Sequence, residues 1–227
     1  MIILTDMRGI VAIGLALFCI STADAQRRSS TKKKSPPPAP APLTKGVPAI
    51  TCPSLLGAGV KTARTFCDVP AGRDPQQGVI VTLPPHTGPL TLGFDLHARH
   101  TYSEQETRAG RGYSRYSAII GVLTMTGELI SRAAVQAEFR TAADLYDRIS
   151  GGAGPGGLKA VAPAGDEVVF ITIPAGVDQV SLLGETLDAT TPAGHEKAVM
   201  AGRPVAIVSN MSVEYRPATA TPRKKGA

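Results

Sequence analysis

The chain has 227 residues, of which 24 are Lys or Arg and 18 are Asp or Glu, with three Cys and no Trp. Its 43% hydrophobic content excludes a wholly disordered chain, and its length suits one domain with appendages. No second long apolar run follows the N-terminus, which excludes a polytopic membrane protein.

The N-terminus has the pattern of a secretory signal. A short segment with one Arg precedes an apolar stretch at residues 9–20, and small residues at Ala23 and Ala25 come just before Gln26. This pattern predicts that residues 1–25 are a signal peptide and that no transmembrane segment remains after cleavage. An uncleaved anchor is the alternative, although residues 9–20 are short for crossing a bilayer. The protein is therefore expected to be exported, and to be periplasmic or secreted.

Signal cleavage leaves an even pair of cysteines. Cys19 leaves with the signal, and Cys52 and Cys67 remain with 14 residues between them. An oxidising compartment favours a disulfide between them, which would stabilise the fold by about 3 kcal/mol in the loop-entropy account. A metal site is disfavoured, because neither cysteine has a second Cys or a His pair nearby.

The positive charge lies at the two ends of the mature chain. Residues 26–50 hold six Lys or Arg and residues 216–227 hold four, with no acid in either stretch, whereas residues 51–215 hold 13 Lys or Arg against 16 Asp or Glu. Nucleic acid is not predicted as a partner, because a nucleic-acid-binding domain carries its basic patch on the fold itself. The Pro-rich spacer at residues 26–48 and the tail at 217–227 are predicted to be disordered. Their charge could contact an anionic envelope polymer.

Alternating polarity predicts a β domain over residues 49–216. Strands are expected at residues 78–83, 90–98, 117–125, 129–140, 158–162, 167–173, 177–183 and 203–215. Thr126 and Gly127 predict a tight turn that pairs 119–125 with 129–135. The runs at 117–125 and 167–173 are apolar on both faces and are expected to be central strands.

The elements together predict a mainly β fold: an antiparallel β-sandwich, or jelly roll, forming a single domain with one short helix at residues 141–149. In the strand at 90–98, Asp95 and His97 share the face that is expected to contact water. In the strand at 203–215, Ile207 and Met211 are expected to share a buried face.

No catalytic motif is present in the sequence. The nucleophile-elbow pattern GxSxG is absent, and the glycine-rich residues 151–157 lack the Gly-Lys-Ser/Thr of a phosphate-binding loop, so they are interpreted as a flexible connection. No catalytic residue and no cofactor is predicted. Asp95, His97 and His100 are the candidate metal ligands, and a metal-assisted secreted hydrolase is kept as an alternative on that basis.

Tyrosines and arginines cluster in the polar segment at residues 97–117. Both residue types combine a broad face with hydrogen-bond donors, and loops between strands often present binding residues. The alternative is a solvent-exposed loop in which Glu104 and Glu106 pair with its own arginines. The absence of Trp counts against a typical sugar-binding platform. The candidate ligand-binding residues are Arg99, Tyr102, Arg108, Arg111, Tyr113, Arg115 and Tyr116.

The order of three segments resembles that of secreted jelly-roll carbohydrate-binding modules. The segments are a strand with the sequence FDLHAR, a polar stretch with YSRYSAIIGV and a strand with EVVFITI. The resemblance covers about half of the domain, contains no diagnostic motif and implies a fold only. The sequence therefore predicts a non-catalytic protein that binds an envelope or extracellular ligand, with a glycan as candidate, or an envelope accessory protein. A structural protein that adheres to anionic polymers through its basic tails is a further alternative.

Overall fold

β-Strands account for most of the described chain. A computed structural model describes residues 41–153, 159–163, 167–198 and 200–218. The predicted signal peptide, most of the predicted spacer, residues 154–158 of the glycine-rich stretch and the end of the C-terminal tail lie outside these ranges. Within them the strands are β1 (Thr44–Gly46), β2 (Ala49–Thr51), β3 (Leu55–Ala58), β4 (Thr65–Pro70), β5 (Val79–Thr82), β6 (Leu90–Ala98), β7 (His100–Tyr102), β8 (Ser114–Thr124), β9 (Leu129–Phe139), β10 (Leu145–Ala153), β11 (Lys159–Pro163), β12 (Glu167–Ile173), β13 (Gln179–Thr191), β14 (Gly194–Ala198) and β15 (Pro204–Tyr215). The same ranges contain one α-helix, α1 (Glu104–Arg108), and 3-10 turns at Pro75–Gln77 and Ala142–Asp144.

The strands form two large antiparallel sheets and one small sheet. Sheet A has the order β12-β6-β15-β4-β3, with β1 paired to β15. Sheet B has the order β2-β5-β13-β8-β9, with β14 paired to β13, and sheet C has the order β10-β11-β7. This arrangement confirms the prediction of a mainly β fold with antiparallel sheets, and it is consistent with a β-sandwich.

The main core is filled by apolar residues that alternate along the strands of sheets A and B. Leu92 and Leu96 of β6, Ile120 of β8 and Leu182 of β13 have no exposed surface and belong to one contiguous cluster. Burial of each such side chain stabilises the fold by about 1.5–3 kcal/mol. The alternation that predicts the strands therefore also supplies the core.

A second apolar cluster lies on the other face of sheet A, with Ile149 supplied by β10 of sheet C. Its members are Leu56, Phe66, Ile149 and Ile207. His97 is on this face, with its ring centroid 5.6 Å from that of Phe66. The prediction that Asp95 and His97 contact water is wrong, since they are 4% and 0% exposed. On this face Ile149 of β10 packs with Phe66 and Ile207, and Arg64, which precedes β4, binds Asp95.

The predicted helix at residues 141–149 is wrong. Residues Ala142–Asp144 form a single 3-10 turn, and the chain then continues as β10. The Asp144 carboxylate accepts hydrogen bonds from the backbone N–H groups of Arg140 and Thr141, at 2.7 and 2.8 Å, which fixes the turn. β10 then pairs with β11, which gives its backbone groups the partners that a helix would have provided. The α-helix of the described chain is α1, between β7 and β8.

The predicted hairpin at Thr126 and Gly127 is confirmed. β8 and β9 pair along their length, and Gly127 has a φ of +87°, which glycine adopts without steric cost. β8 lies between β13 and β9, as expected of a central strand.

The strand predicted at residues 167–173 forms as β12, but its predicted central position is wrong. β12 pairs with β6 on one side, and no other strand of the described ranges pairs with it. Ile171 and Ile173 are buried, whereas Val168 and Phe170 are 59% and 70% exposed. The run is therefore apolar on both faces although only one face is covered.

Strand β15 changes face at a bulge. Its pairing with β6 shifts between Ser209 and Ser212, and Asn210 has a φ of +53°. Ile207 consequently lies in the second cluster and Met211 in the main core. The prediction that these two residues share a face is wrong, because one extra residue reverses the alternation.

The predicted disulfide between Cys52 and Cys67 is confirmed, with the two Cα atoms 5.6 Å apart. Cys52 follows β2 at the edge of sheet B, and Cys67 lies within β4 of sheet A. The bond therefore connects the two large sheets.

Part of the stretch that was predicted to be a disordered spacer forms a strand. Thr44–Gly46 forms β1 and pairs with the end of β15, so residues before position 49 contribute to sheet A. No helix in the described ranges is both long and apolar enough to cross a membrane.

Candidate ligand-binding pocket

A pocket of about 450 Å³ lies at the end of sheet B where β8 begins and where β9 and β13 end. α1 and the segment joining it to β8 form one wall, and the turn between β13 and β14 forms the other. The volume falls within the range of about 300–1,000 Å³ that is typical of small-molecule sites. The lining residues are Ser103, Glu106, Thr107, Arg111, Gly112, Tyr113, Ser114, Tyr116, Phe139, Thr191, Pro192 and Ala193.

A helix cap and an ion pair fix the conformation of the first wall. The hydroxyl of Ser103 accepts a hydrogen bond from the backbone N–H of Glu106 at 3.3 Å, which caps α1. Gly110, with a φ of +74°, helps to turn the chain so that Arg111 returns to Glu106. Arg111 donates from Nε and Nη2 to the two carboxylate oxygens of Glu106, at 2.7 and 3.1 Å. This side-chain hydrogen bond lowers the pKa of Glu106 and raises that of Arg111, so the pair stays ionised with no net charge.

A buried histidine supports the pocket from behind. His100 has no exposed surface, and its Nδ1 lies 3.0 Å from the hydroxyl oxygen of Ser114. Its ring centroid is 4.2 Å from that of Tyr116, edge to face, and 5.9 Å from that of Phe139. Burial lowers the pKa of His100 to about 4, so the imidazole is neutral at physiological pH. It therefore positions three lining side chains without adding charge.

Two tyrosines supply most of the aromatic surface. Tyr113 is 38% exposed, and Tyr116 is half-buried. Burial raises the pKa of the Tyr116 phenol, which is therefore protonated and able to donate a hydrogen bond. The buried hydroxyl of Thr107 has no hydrogen-bond partner among the described residues. The exposed ring of Tyr113 can contact a ligand through both its apolar face and its hydroxyl group.

Three of the seven predicted ligand-binding residues line this pocket, namely Arg111, Tyr113 and Tyr116. The pairing of Arg111 with Glu106 was expected of the alternative, a loop that neutralises its own charges. The pair is also part of the pocket lining, so these two residues line the cavity and neutralise each other's charge.

The other four predicted residues are not in the lining. Arg99 donates from Nε to the buried carboxylate of Asp68 at 2.7 Å. Arg115 is exposed on the opposite face of β8, as alternation along a strand requires. Arg108 is exposed in the last turn of α1, and the structure describes only the backbone of Tyr102, in β7.

The candidate metal ligands do not converge. Asp95 accepts a hydrogen bond from Nη1 of Arg64 at 2.6 Å. His97 Nε2 lies 3.1 Å from the hydroxyl oxygen of Ser209, and His100 Nδ1 lies 3.0 Å from that of Ser114, behind the pocket. Among the residues that the structure describes, no three His, Cys, Asp or Glu side chains are arranged to hold a metal ion. β6 ends before His100, which begins β7 of sheet C.

The sequence analysis missed the lining residues outside the 97–117 segment. Phe139 lies opposite Ser114 on β9, the predicted partner of β8, but its exact position depends on a register shift between Val122 and Leu123. The turn at residues 191–193 carried no such signal, because its proximity depends on the long-range pairing of β13 with β8.

The chemistry of the pocket favours binding over catalysis. Ser114 beside His100 resembles a nucleophile beside a general base. An imidazole with a pKa of about 4 is, however, a weak base at neutral pH. The remaining groups offer an aromatic ring, hydroxyls and a self-neutralised ion pair, which can hold an uncharged polar ligand.

Comparisons with known proteins do not assign the chain to a family. No known protein family matches the sequence. No curated protein matches it either. Among solved structures, the crystal structure of the infectious bursal disease virus VP2 subviral particle is similar over 92% of this chain and 46% of that chain, with 17% identity and a TM-score of 0.19. The chain thus spans about half the length of that protein.

Proposed function

We propose that this protein is an exported, non-catalytic binding protein whose pocket at the end of sheet B takes an uncharged carbohydrate. The observation that carries the proposal is the grouping of Tyr113, Arg111 and Glu106 around one cavity of about 450 Å³. Export rests on the signal-like pattern of residues 1–25.

The preference for an uncharged ligand follows from the ion pair. Glu106 and Arg111 neutralise each other through two hydrogen bonds, so neither is free to compensate a charged ligand group. Their remaining lone pairs and N–H groups can still exchange hydrogen bonds with hydroxyls, which are donors and acceptors at once. The half-exposed ring of Tyr113 would contact the apolar face of a sugar ring.

The test is calorimetric titration of the exported chain with neutral and uronic-acid oligosaccharides. We expect a neutral oligosaccharide to bind, and Tyr113→Ala to weaken its binding at least about tenfold, because an aromatic anchor at a binding site contributes on the order of 1–2 kcal/mol. Tyr113→Phe keeps the ring and is expected to retain most of the affinity.

The chain offers a matched control for the ion pair. Arg132 binds both carboxylate oxygens of Glu185 at 2.9 and 2.8 Å and is 59% exposed, against 58% for Arg111. Arg111→Ala is expected to weaken binding, and Arg132→Ala to leave it unchanged. Preference for the acidic oligosaccharides, or equal affinity in all variants, would contradict the proposal. Loss of binding or of stability in a chelator would favour the metal-assisted hydrolase instead.

A further inference from the structure

Most edge strands of the described fold have features that discourage pairing with another chain. β2 has three residues, and β3 has four with a register shift between Leu55 and Gly57. β9 presents exposed charged side chains at Arg132 and Glu138, and β14 presents them at Glu196 and Lys197. Short length, irregular register and charge are the usual means by which sheet edges avoid association.

β12 is longer than β2 and β3 and has a regular register, and its one charged residue stands at its first position. Its seven residues, EVVFITI, pair with β6 without a register shift, and they include neither Lys nor Pro. The other long side of β12 has no strand partner within the described ranges. Val168 and Phe170 project from one face of the sheet beside this edge, and are 59% and 70% exposed. A regular, apolar edge of this kind is a template for adding another strand.

The exposed ring of Phe170 is held in place by the sheet. A Cβ atom built on Gly93, which lies opposite Phe170 on β6, would stand 3.0 Å from Cε1 and 3.1 Å from Cδ1 of that ring. The ring therefore packs over the bare backbone of Gly93 and keeps its other side towards solvent. An ordered aromatic side chain loses little conformational freedom when a partner covers it.

We propose that β12 pairs with β12 of a second copy of this chain, antiparallel and around a two-fold axis at Phe170. This pairing places Phe170 opposite itself, Val168 opposite Thr172, Val169 opposite Ile171 and Glu167 opposite Ile173. Glu167, the charged residue of the strand, stands at its first position. The two copies of Glu167 therefore lie at opposite ends of the paired strands, and no like charges are brought together.

The exposed area indicates a weak dimer. At 70% exposure, Phe170 offers on the order of 100–175 Å² from a side chain that can bury about 150–250 Å². A standard stable interface needs about 800 Å² from each partner, so the two exposed side chains supply only part of it. Backbone hydrogen bonds along the strand add to this, and dissociation in the micromolar range or weaker is expected.

The first test is sedimentation velocity on the exported chain over a wide concentration series. We expect a concentration-dependent monomer–dimer equilibrium whose dissociation constant rises at least about tenfold in Phe170→Lys, since a charge on an edge strand opposes pairing. Met200→Lys is the matched control, because Met200 is 68% exposed and lies outside the strands. A monomer at every concentration, or a dimer that Phe170→Lys leaves unchanged, would overturn the proposal.

Two further measurements identify the interface and its occupant. In Phe170→Cys, the two-fold pairing brings the Cα atoms within about 4.5–5.5 Å, a spacing that permits a disulfide between copies. Met200→Cys should not form one. Hydrogen exchange should show protection of alternate β12 amides that increases with protein concentration. If those amides are instead protected at high dilution and lose protection when the C-terminal tail is removed, the tail is the occupant and the proposal is wrong.

Discussion

Acidification is expected to destabilise the fold through His100. Burial lowers the pKa of its imidazole to about 4 in the folded chain, against 6.5 for an ordinary histidine. Between these two pH values the unfolded chain binds a proton that the folded chain does not bind. The free energy of unfolding therefore decreases as the pH is lowered through this window, by about 1.4 kcal/mol per pH unit. Above about pH 6.5, His100 does not make the free energy of unfolding depend on pH. Over the whole window the loss is on the order of 3 kcal/mol.

The assay is urea denaturation of the wild type and His100→Phe at several pH values between 7 and 4.5. Phenylalanine keeps a ring against Tyr116 but lacks the hydrogen bond with Ser114, so the variant should be less stable at pH 7. Because phenylalanine does not titrate, the variant should also lose less stability on acidification. Ser114→Ala is the control: it removes the hydroxyl partner and keeps the buried imidazole, so it should retain the acid-dependent loss. Equal pH dependence in His100→Phe and the wild type would refute the assignment.

Two other predictions concern stability. Replacing both Cys52 and Cys67 by Ser should lower the free energy of unfolding by about 3 kcal/mol in chemical denaturation, because the unfolded chain regains the freedom of the closed loop; no difference from the oxidised wild type would contradict this account. Asp147 is 3% exposed and accepts hydrogen bonds from the backbone N–H groups of Lys61 and Thr62 and from the Thr62 hydroxyl, at 2.8, 3.0 and 2.6 Å. Asp147→Ala should therefore cost about 2–4 kcal/mol in thermal denaturation, and Thr62→Val, which removes one of these bonds, about 1 kcal/mol; a larger loss in Thr62→Val would refute the ranking.

Local patterns predicted the strands with regular alternation. β6 occupies residues 90–98 as expected, and the β8–β9 hairpin turns at the expected Thr126 and Gly127. In both cases the signal and the structure depend on neighbouring residues: alternation sets which side of a strand is apolar, and glycine permits a turn with positive φ. Such local signals are enough to place these strands and this turn in the chain.

The wrong predictions have long-range causes. Asp95 and His97 were expected to contact water because alternation gives one covered face, but Ile149 of β10, from far along the chain, packs on the second face. In β15, the bulge at Asn210 follows from pairing with β6 and reverses the faces of Ile207 and Met211. A polarity pattern gives the period of a strand, not whether its pairing is interrupted.

Local patterns predicted one wall of the pocket, and long-range pairing of strands determines the other. Arg111, Tyr113 and Tyr116 could be selected because residue types that favour binding cluster in one loop. Phe139 comes from β9, the predicted hairpin partner of β8. The opposite wall comes from the β13–β14 turn, whose position depends on β13 lying beside β8 more than fifty residues away. The turn residues are small or polar and have no distinguishing type. The sequence alone could therefore predict the wall formed by the segment before β8, because its residue types are typical of binding sites. The cavity itself forms only when β13 pairs with β8 and brings the opposite wall into place.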